Sequence, residues 1–200
     1  MKLSDDELMQ SITQVIVRFF DAGIVNNENY GQSDKLKLAV AQFTDWKYDW
    51  RDRKIFKDLK EKLPTLKIEN MAYFFGNTRS LQLDLSESSG NRQKIYSAYV
   101  SVFNFFTIYQ SDYLDGNGKT ELIRTPSFID YGGDLYCDEV FRITKGYYKE
   151  LVWLPAKMLL TPVQQLRIGN FSVRKDILVA DLLFSHLDFR DINPFNIDDL

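Results

Sequence analysis

The sequence has a single cysteine, Cys137, and a single histidine, His186. An internal disulfide is therefore impossible. A zinc centre built on histidine and cysteine is excluded as well, because it needs three or four ligands. Ser–His–Asp chemistry would rest wholly on His186, which lies in a stretch of helical spacing and not in a glycine-flanked loop. No apolar run approaches the ~20 residues that span a bilayer. Neither sign of charge dominates, and the net charge of −3 argues against a broad phosphate-binding surface, which needs a basic excess. Metal, cofactor, nucleic acid and membrane are accordingly not expected. The opening Met-Lys-Leu-Ser-Asp-Asp-Glu lacks the basic-then-apolar order of a secretory signal, so a reducing, cytoplasmic setting is the expectation.

Aromatic residues are plentiful, at 14% with 15 Phe and 11 Tyr, which predicts an aromatic-rich core. The 200 residues suffice to bury one sizeable core, and one domain is expected over 1–200. It divides into a helical part (1–63), an antiparallel sheet (66–154), and a helical return with an acidic tail (155–200). Over residues 181–200, Asp181, Asp188, Asp191, Asp198 and Asp199 stand against Arg190 alone.

Ser4 and Glu7 form a capping box, in which each side chain satisfies an orphan amide of the first helical turn. Leu8, Ile12, Val15, Ile16, Phe19 and Phe20 follow at helical spacing, and Gly23 is expected to stop that helix. A second helix is predicted from Ser33 or Asp34, with Leu36, Ala39, Val40, Phe43 and Trp46 inward. A third runs from Asp52 to Lys62, with Ile55, Phe56 and Leu59 inward and Pro64 closing it. The period then changes to two. Leu81, Leu83 and Leu85 alternate with polar residues as in a half-buried strand, paired to Met71–Phe75 across Gly76-Asn77. One long strand is predicted from Lys94 to Tyr109, with Asn104 breaking the apolar alternation. Further strands are placed near 121–129, 135–143 and 147–153, around turns at 115–118 and 131–134. Short connections imply antiparallel pairing. Thr161-Pro162-Val163-Gln164 has the marks of a helix start with Gly169 its stop. Val173, Ile177, Ala180, Phe184 and Leu187 return to helical spacing. The predicted class is α+β: N-terminal helices, an antiparallel meander of five or six strands, C-terminal helices, and the helices as a single layer on a curved sheet.

Four patterns resemble chemistry. Gly118-Lys119-Thr120 ends like a phosphate-binding loop, but Tyr113 stands where its first glycine belongs, and Pro126 follows where a helix is required. Asp115, Asn117 and Gly118 match part of a calcium loop, yet Tyr113 and Arg124 occupy its first and twelfth ligand positions. Asp130, Asp134, Asp138 and Glu139 surround a Gly-Gly turn; such carboxylates either share a proton or ion or bond to their own backbone. Cys137 and His186 form a nucleophile pair only if they meet. None of these amounts to a catalytic or metal-binding set. Asn170-Phe171-Ser172 is a glycosylation sequon, without meaning in a protein that is not secreted.

The densest aromatic and cationic stretch is Trp46-Lys47-Tyr48-Asp49-Trp50-Arg51-Asp52-Arg53-Lys54. Trp, Tyr and Arg dominate binding energy at protein interfaces. The reading that follows is a non-enzymatic protein-interaction module with a protein partner, contacted through Trp46, Tyr48, Trp50, Arg51 and Arg53, and through Asp198 and Asp199 of the acidic tail. The competing reading is a small-molecule binder or cofactor-free enzyme, with an aromatic pocket between sheet and helices that recruits Asp84, Asp130 or Glu139. A deep enclosed cavity with converging polar groups favours the second reading. An open aromatic patch favours the first.

Overall fold

A computed structural model describes residues 4–20, 23–26, 34, 38, 50–70, 80–116, 119–163, 166–169 and 178–184. Helix α1 (Asp5–Phe19) begins with the expected capping box: the Glu7 amide donates to Ser4 Oγ (3.3 Å), and the Ser4 amide donates to Glu7 Oε2 (2.7 Å). It ends at Phe20, whose backbone is already extended. Gly23 is not its stop but the first residue of strand β1 (Gly23–Asn26). Helix α2 (Trp50–Lys62) buries Ile55 and Leu59, with Phe56 packed at the margin. Of the helix expected from Ser33 or Asp34, Asp34 and Leu38 are described and are helical; its other residues and the strand Met71–Phe75 lie outside the described residues.

Five strands make an antiparallel meander: β2 (Lys67–Asn70), β3 (Ser80–Ser89), β4 (Arg92–Ser101), β5 (Phe105–Gly116) and β6 (Lys119–Ile129), in that spatial order. The short strand β7 (Val152–Trp153) joins β5 in parallel beyond the end of β6 and completes a six-stranded sheet. Strand β8 (Leu166–Gly169) pairs in parallel with β1 as a separate ribbon.

The single long strand predicted over 94–109 is two strands. The break comes at Asn104, the residue that interrupts the apolar alternation: it adopts a left-handed φ of 63°, a conformation that asparagine tolerates and most side chains avoid. Its amide donates to the Ser101 carbonyl, which closes a tight turn.

The strand expected at 135–143 is a helix, α3 (Leu135–Tyr147). Its buried residues Cys137, Val140, Phe141 and Thr144 follow the helical period. Val140 and Ile143 favour strands locally, but the Asp134 side chain accepts from the amides of Tyr136 (2.9 Å) and Cys137 (3.1 Å) and starts a helix. Of the strand expected at 147–153, only β7 is present. At Thr161-Pro162 no helix starts: Pro162 bridges to Leu178, and Gly169 ends β8. The C-terminal helices are α4 (Ala156–Leu159) and α5 (Val179–Leu183).

The class is α+β as expected, but the helices divide between both faces of the sheet. On one face Leu81, Leu83 and Leu85 meet Tyr96, Ala98, Val100, Phe106 and Ile108, and α2 and α3 cover them. Phe106, Phe141 and Trp153 stack there at centroid distances of 5.1–5.2 Å. On the other face Tyr99 and Phe105 pack with Leu8 and Ile12 of α1, Met158 and Leu159 of α4, and Val179 and Leu183 of α5. The outer strand β6 exposes Leu122 and Ile123. Irregular register opposite Asp112, together with Pro126, interrupts its ladder, the usual defence of an edge strand.

Leu83 is 2% exposed at the centre of the first face. Leu83→Ala should destabilise the protein by about 2–5 kcal/mol. Exposed Glu121→Ala should stay within ~0.5 kcal/mol. Urea unfolding of the two variants checks the difference.

Candidate functional site

The four acidic residues around the Gly-Gly turn are put to separate structural uses. Asp130 Oδ1 accepts from the Ala156 amide (2.8 Å) and ties the turn to α4. Asp138 Oδ1 accepts from the Gly132 amide (2.8 Å), with Gly132 at a φ of 86° that disfavours a side chain. Asp134 caps α3 and also accepts from the buried Tyr96 hydroxyl (3.2 Å). Glu139 is held by Arg142 through two hydrogen bonds, which lower its pKa. Among the described residues no three His, Cys, Asp or Glu side chains converge as a metal site would require.

Cys137 is 1% exposed. Burial, reinforced by Asp134 and Asp138, pushes its thiol pKa well up. A reactive thiolate needs the opposite environment, and His186 lies outside the described residues. Lys119 and Thr120 lie on β6, not at a helix N-terminus. The Thr120 hydroxyl donates to Asp115 (2.6 Å), and Asn117 and Gly118 lie outside the described residues.

Of the interface residues expected from sequence, Trp50, Arg51 and Arg53 belong to the first turn of α2. Trp46, Tyr48, Asp198 and Asp199 lie outside the described residues.

A different surface feature is visible only in three dimensions. A groove of about 270 Å³ runs between α1 and the β4–β5 turn, lined on the helix side by Gln14, Val15, Arg18 and Phe19. Phe103, Asn104 and Glu150 form the opposite wall. The Phe19 and Phe103 rings pack at 5.0 Å, and the Arg18 guanidinium lies over Phe19 at 5.1 Å. Asn104 Nδ2 donates to Glu150 Oε2 (3.3 Å). The turn beneath is pinned from both sides: the Ser101 hydroxyl donates to the Leu183 carbonyl (2.7 Å) and accepts from the Phe103 amide (3.2 Å). The groove thus pairs an aromatic floor with a rim bearing one cation and one anion. Its walls come from residues far apart in the chain, so no local pattern announces it.

Asp84, named from sequence as a pocket carboxylate, lies on the sheet face opposite the leucines, away from this groove. Burial raises its pKa, while hydrogen bonds from Gln82 and Ser97 oppose that rise and the nearby Glu69 charge adds to it.

Comparison with known proteins brings no relative to bear on these features: no family model, curated protein or solved structure matches the chain.

Asp134 combines a helix cap with a hydrogen bond from the hydroxyl of a buried tyrosine. Asp134→Ala should therefore cost about 1 kcal/mol for the cap and about 1–3 kcal/mol more for the stranded Tyr96 hydroxyl. Asp138→Ala, which loses one exposed bond, should cost about 1 kcal/mol or less. Thermal or urea unfolding distinguishes them.

Proposed function

We propose that this chain is a non-enzymatic protein-interaction module that grips its partner through the groove between α1 and the β4–β5 turn. The observation that carries this reading is the form of the groove: small, open, aromatic-floored and rimmed by Arg18 and Glu150. Small-molecule sites usually enclose roughly 300–1,000 Å³. A groove of about 270 Å³ open to solvent fits a single bulky side chain projected from another protein. Half-buried aromatic walls provide contact area, and the charged rim sets orientation and encounter more than it adds raw affinity.

The roles considered for the other polar residues do not compete with this reading. Asp130, Asp134, Asp138 and Glu139 are engaged in structural bonds, and Cys137 is buried with its thiol held protonated. The Trp46–Arg53 stretch and the acidic pair Asp198 and Asp199 belong to the same proposal as additional contacts. Among the described residues no helix is long and apolar enough to cross a membrane.

The test uses a photo-crosslinking residue at Gln14, with Glu121 on β6 as the control position. The protein recovered from Gln14 is identified by mass spectrometry and then immobilised for surface plasmon resonance. Arg18→Glu, at an exposed position, should weaken binding about tenfold or more, because a like-charge contact at a rim costs a kcal/mol or more. Trp50→Ala should speed dissociation, and neutralising Asp198 and Asp199 should slow association and flatten its salt dependence. Crosslinking from Glu121 and not from Gln14, or unchanged affinity in a folded Arg18→Glu variant, contradicts the groove assignment. A small molecule that raises the melting temperature where no protein is captured favours the pocket reading.

A further inference from the structure

Strand β2 is four residues long and forms one edge of the sheet among the described strands. Its register fixes what faces what. Ile68 stands opposite Leu85 in the leucine core. Side chains alternate along a strand, so the next residue, Glu69, lies on the other face, directly opposite Asp84. Residues paired in this way have Cβ atoms about 4.5–5.5 Å apart, and like charges at that separation destabilise the pairing. The remaining neighbours of Asp84 do not neutralise it. Gln82 Nε2 donates to it at 3.1 Å, and Ser97, its partner on β4, adds a hydroxyl bond. Beyond Ser97 the same face carries Tyr109 of β5, and Tyr99 lies one step along β4. The only cation facing this group from β2 is Lys67, which bonds Glu69 at 2.5 Å and is itself largely exposed.

Docking of β2 therefore brings a second carboxylate up to Asp84, a group whose pKa burial already raises. We propose that the β2–β3 pairing is a proton-sensitive edge, which fastens when Asp84 takes up a proton and loosens when Asp84 is charged. Loosening uncovers the ladder groups of β3, the kind of edge to which another strand adds.

The sign follows from linkage. Burial raises the Asp84 pKa above its ordinary 3.8, so the docked state binds the proton more tightly than the undocked one. Docking then weakens as pH rises from the undocked pKa of Asp84 through its higher docked value, and is level above that. The raised pKa accompanies the geometry; the opposed carboxylates and the short edge strand carry the proposal.

Hydrogen exchange of the 67–70 segment, followed by mass spectrometry and corrected for intrinsic rates, tests this on the full chain. Protection should rise as pH falls from about 7 to about 4, by about tenfold for each unit by which docking raises the Asp84 pKa. The 95–101 segment of β4 should not share that rise. Asp84→Asn should keep 67–70 protected at every pH. Glu69→Gln, at an exposed position, should shrink the response, and Lys67→Gln should enlarge it. The proposal is overturned by a wild-type response that is absent, shared equally by β4, or unchanged in both Asp84→Asn and Glu69→Gln. If Asp84→Asn fails to fold, the Glu69→Gln and Lys67→Gln pair decides, since they must move the response in opposite directions.

Discussion

The turn between Ser101 and Asn104 is the constraint on which both faces of this fold depend. A single residue in the left-handed region, Asn104 at a φ of 63°, sends β5 back along β4 and so creates the central strand pair. The Asn104 carbonyl then accepts from the Val152 amide, and the Phe106 carbonyl accepts from the Leu154 amide, each at 2.9 Å. Those bonds seat β7 against β5. On the other side the Ser101 hydroxyl reaches the Leu183 carbonyl and fixes α5 to the sheet. The groove wall at Phe103 and Asn104 is the outer surface of this same turn.

Polar residues in this protein are largely spent on local geometry. The carboxylates around the Gly-Gly turn cap a helix, brace a loop and tie in α4. Glu7 does the same for α1, where its bonds to Ser4 lower its pKa. The second sheet face buries Ser80, Ser97, Ser101, Thr107 and Ser111, and among the described residues the Thr107 hydroxyl has no hydrogen-bond partner. On the same face Tyr99, Phe105 and Phe184 pack with α1 and α5. Asp84 and Glu69 set two carboxylates opposite each other on this face.

The parts legible in sequence were those set by short-range periodicity. The leucine alternation in β3 and the Ser4–Glu7 capping box each depend on residues within a few positions, and both are present as read. Asn104 was visible as the exception in an apolar alternation, but one polar residue does not announce a turn. Only the tertiary arrangement makes its left-handed backbone worthwhile. Helix α3 stands where a strand was expected: Val140 and Ile143 favour strands locally, whereas the Asp134 cap and burial against α2 decide for a helix. The groove and the Glu69–Asp84 opposition could not be read at all: the first joins segments about a hundred residues apart, and the second needs the register of two strands.

The most direct test of the turn's central role compares Asn104→Gly with Asn104→Val by urea unfolding. Glycine enters the left-handed region freely, and a β-branched residue does so only under strain. Asn104→Gly should remain within about 1 kcal/mol of wild type, its loss limited to the exposed bond to Glu150. Asn104→Val should be less stable than the glycine variant by about 2 kcal/mol or more. Equal stability of the two would mean that the left-handed turn does not govern the fold.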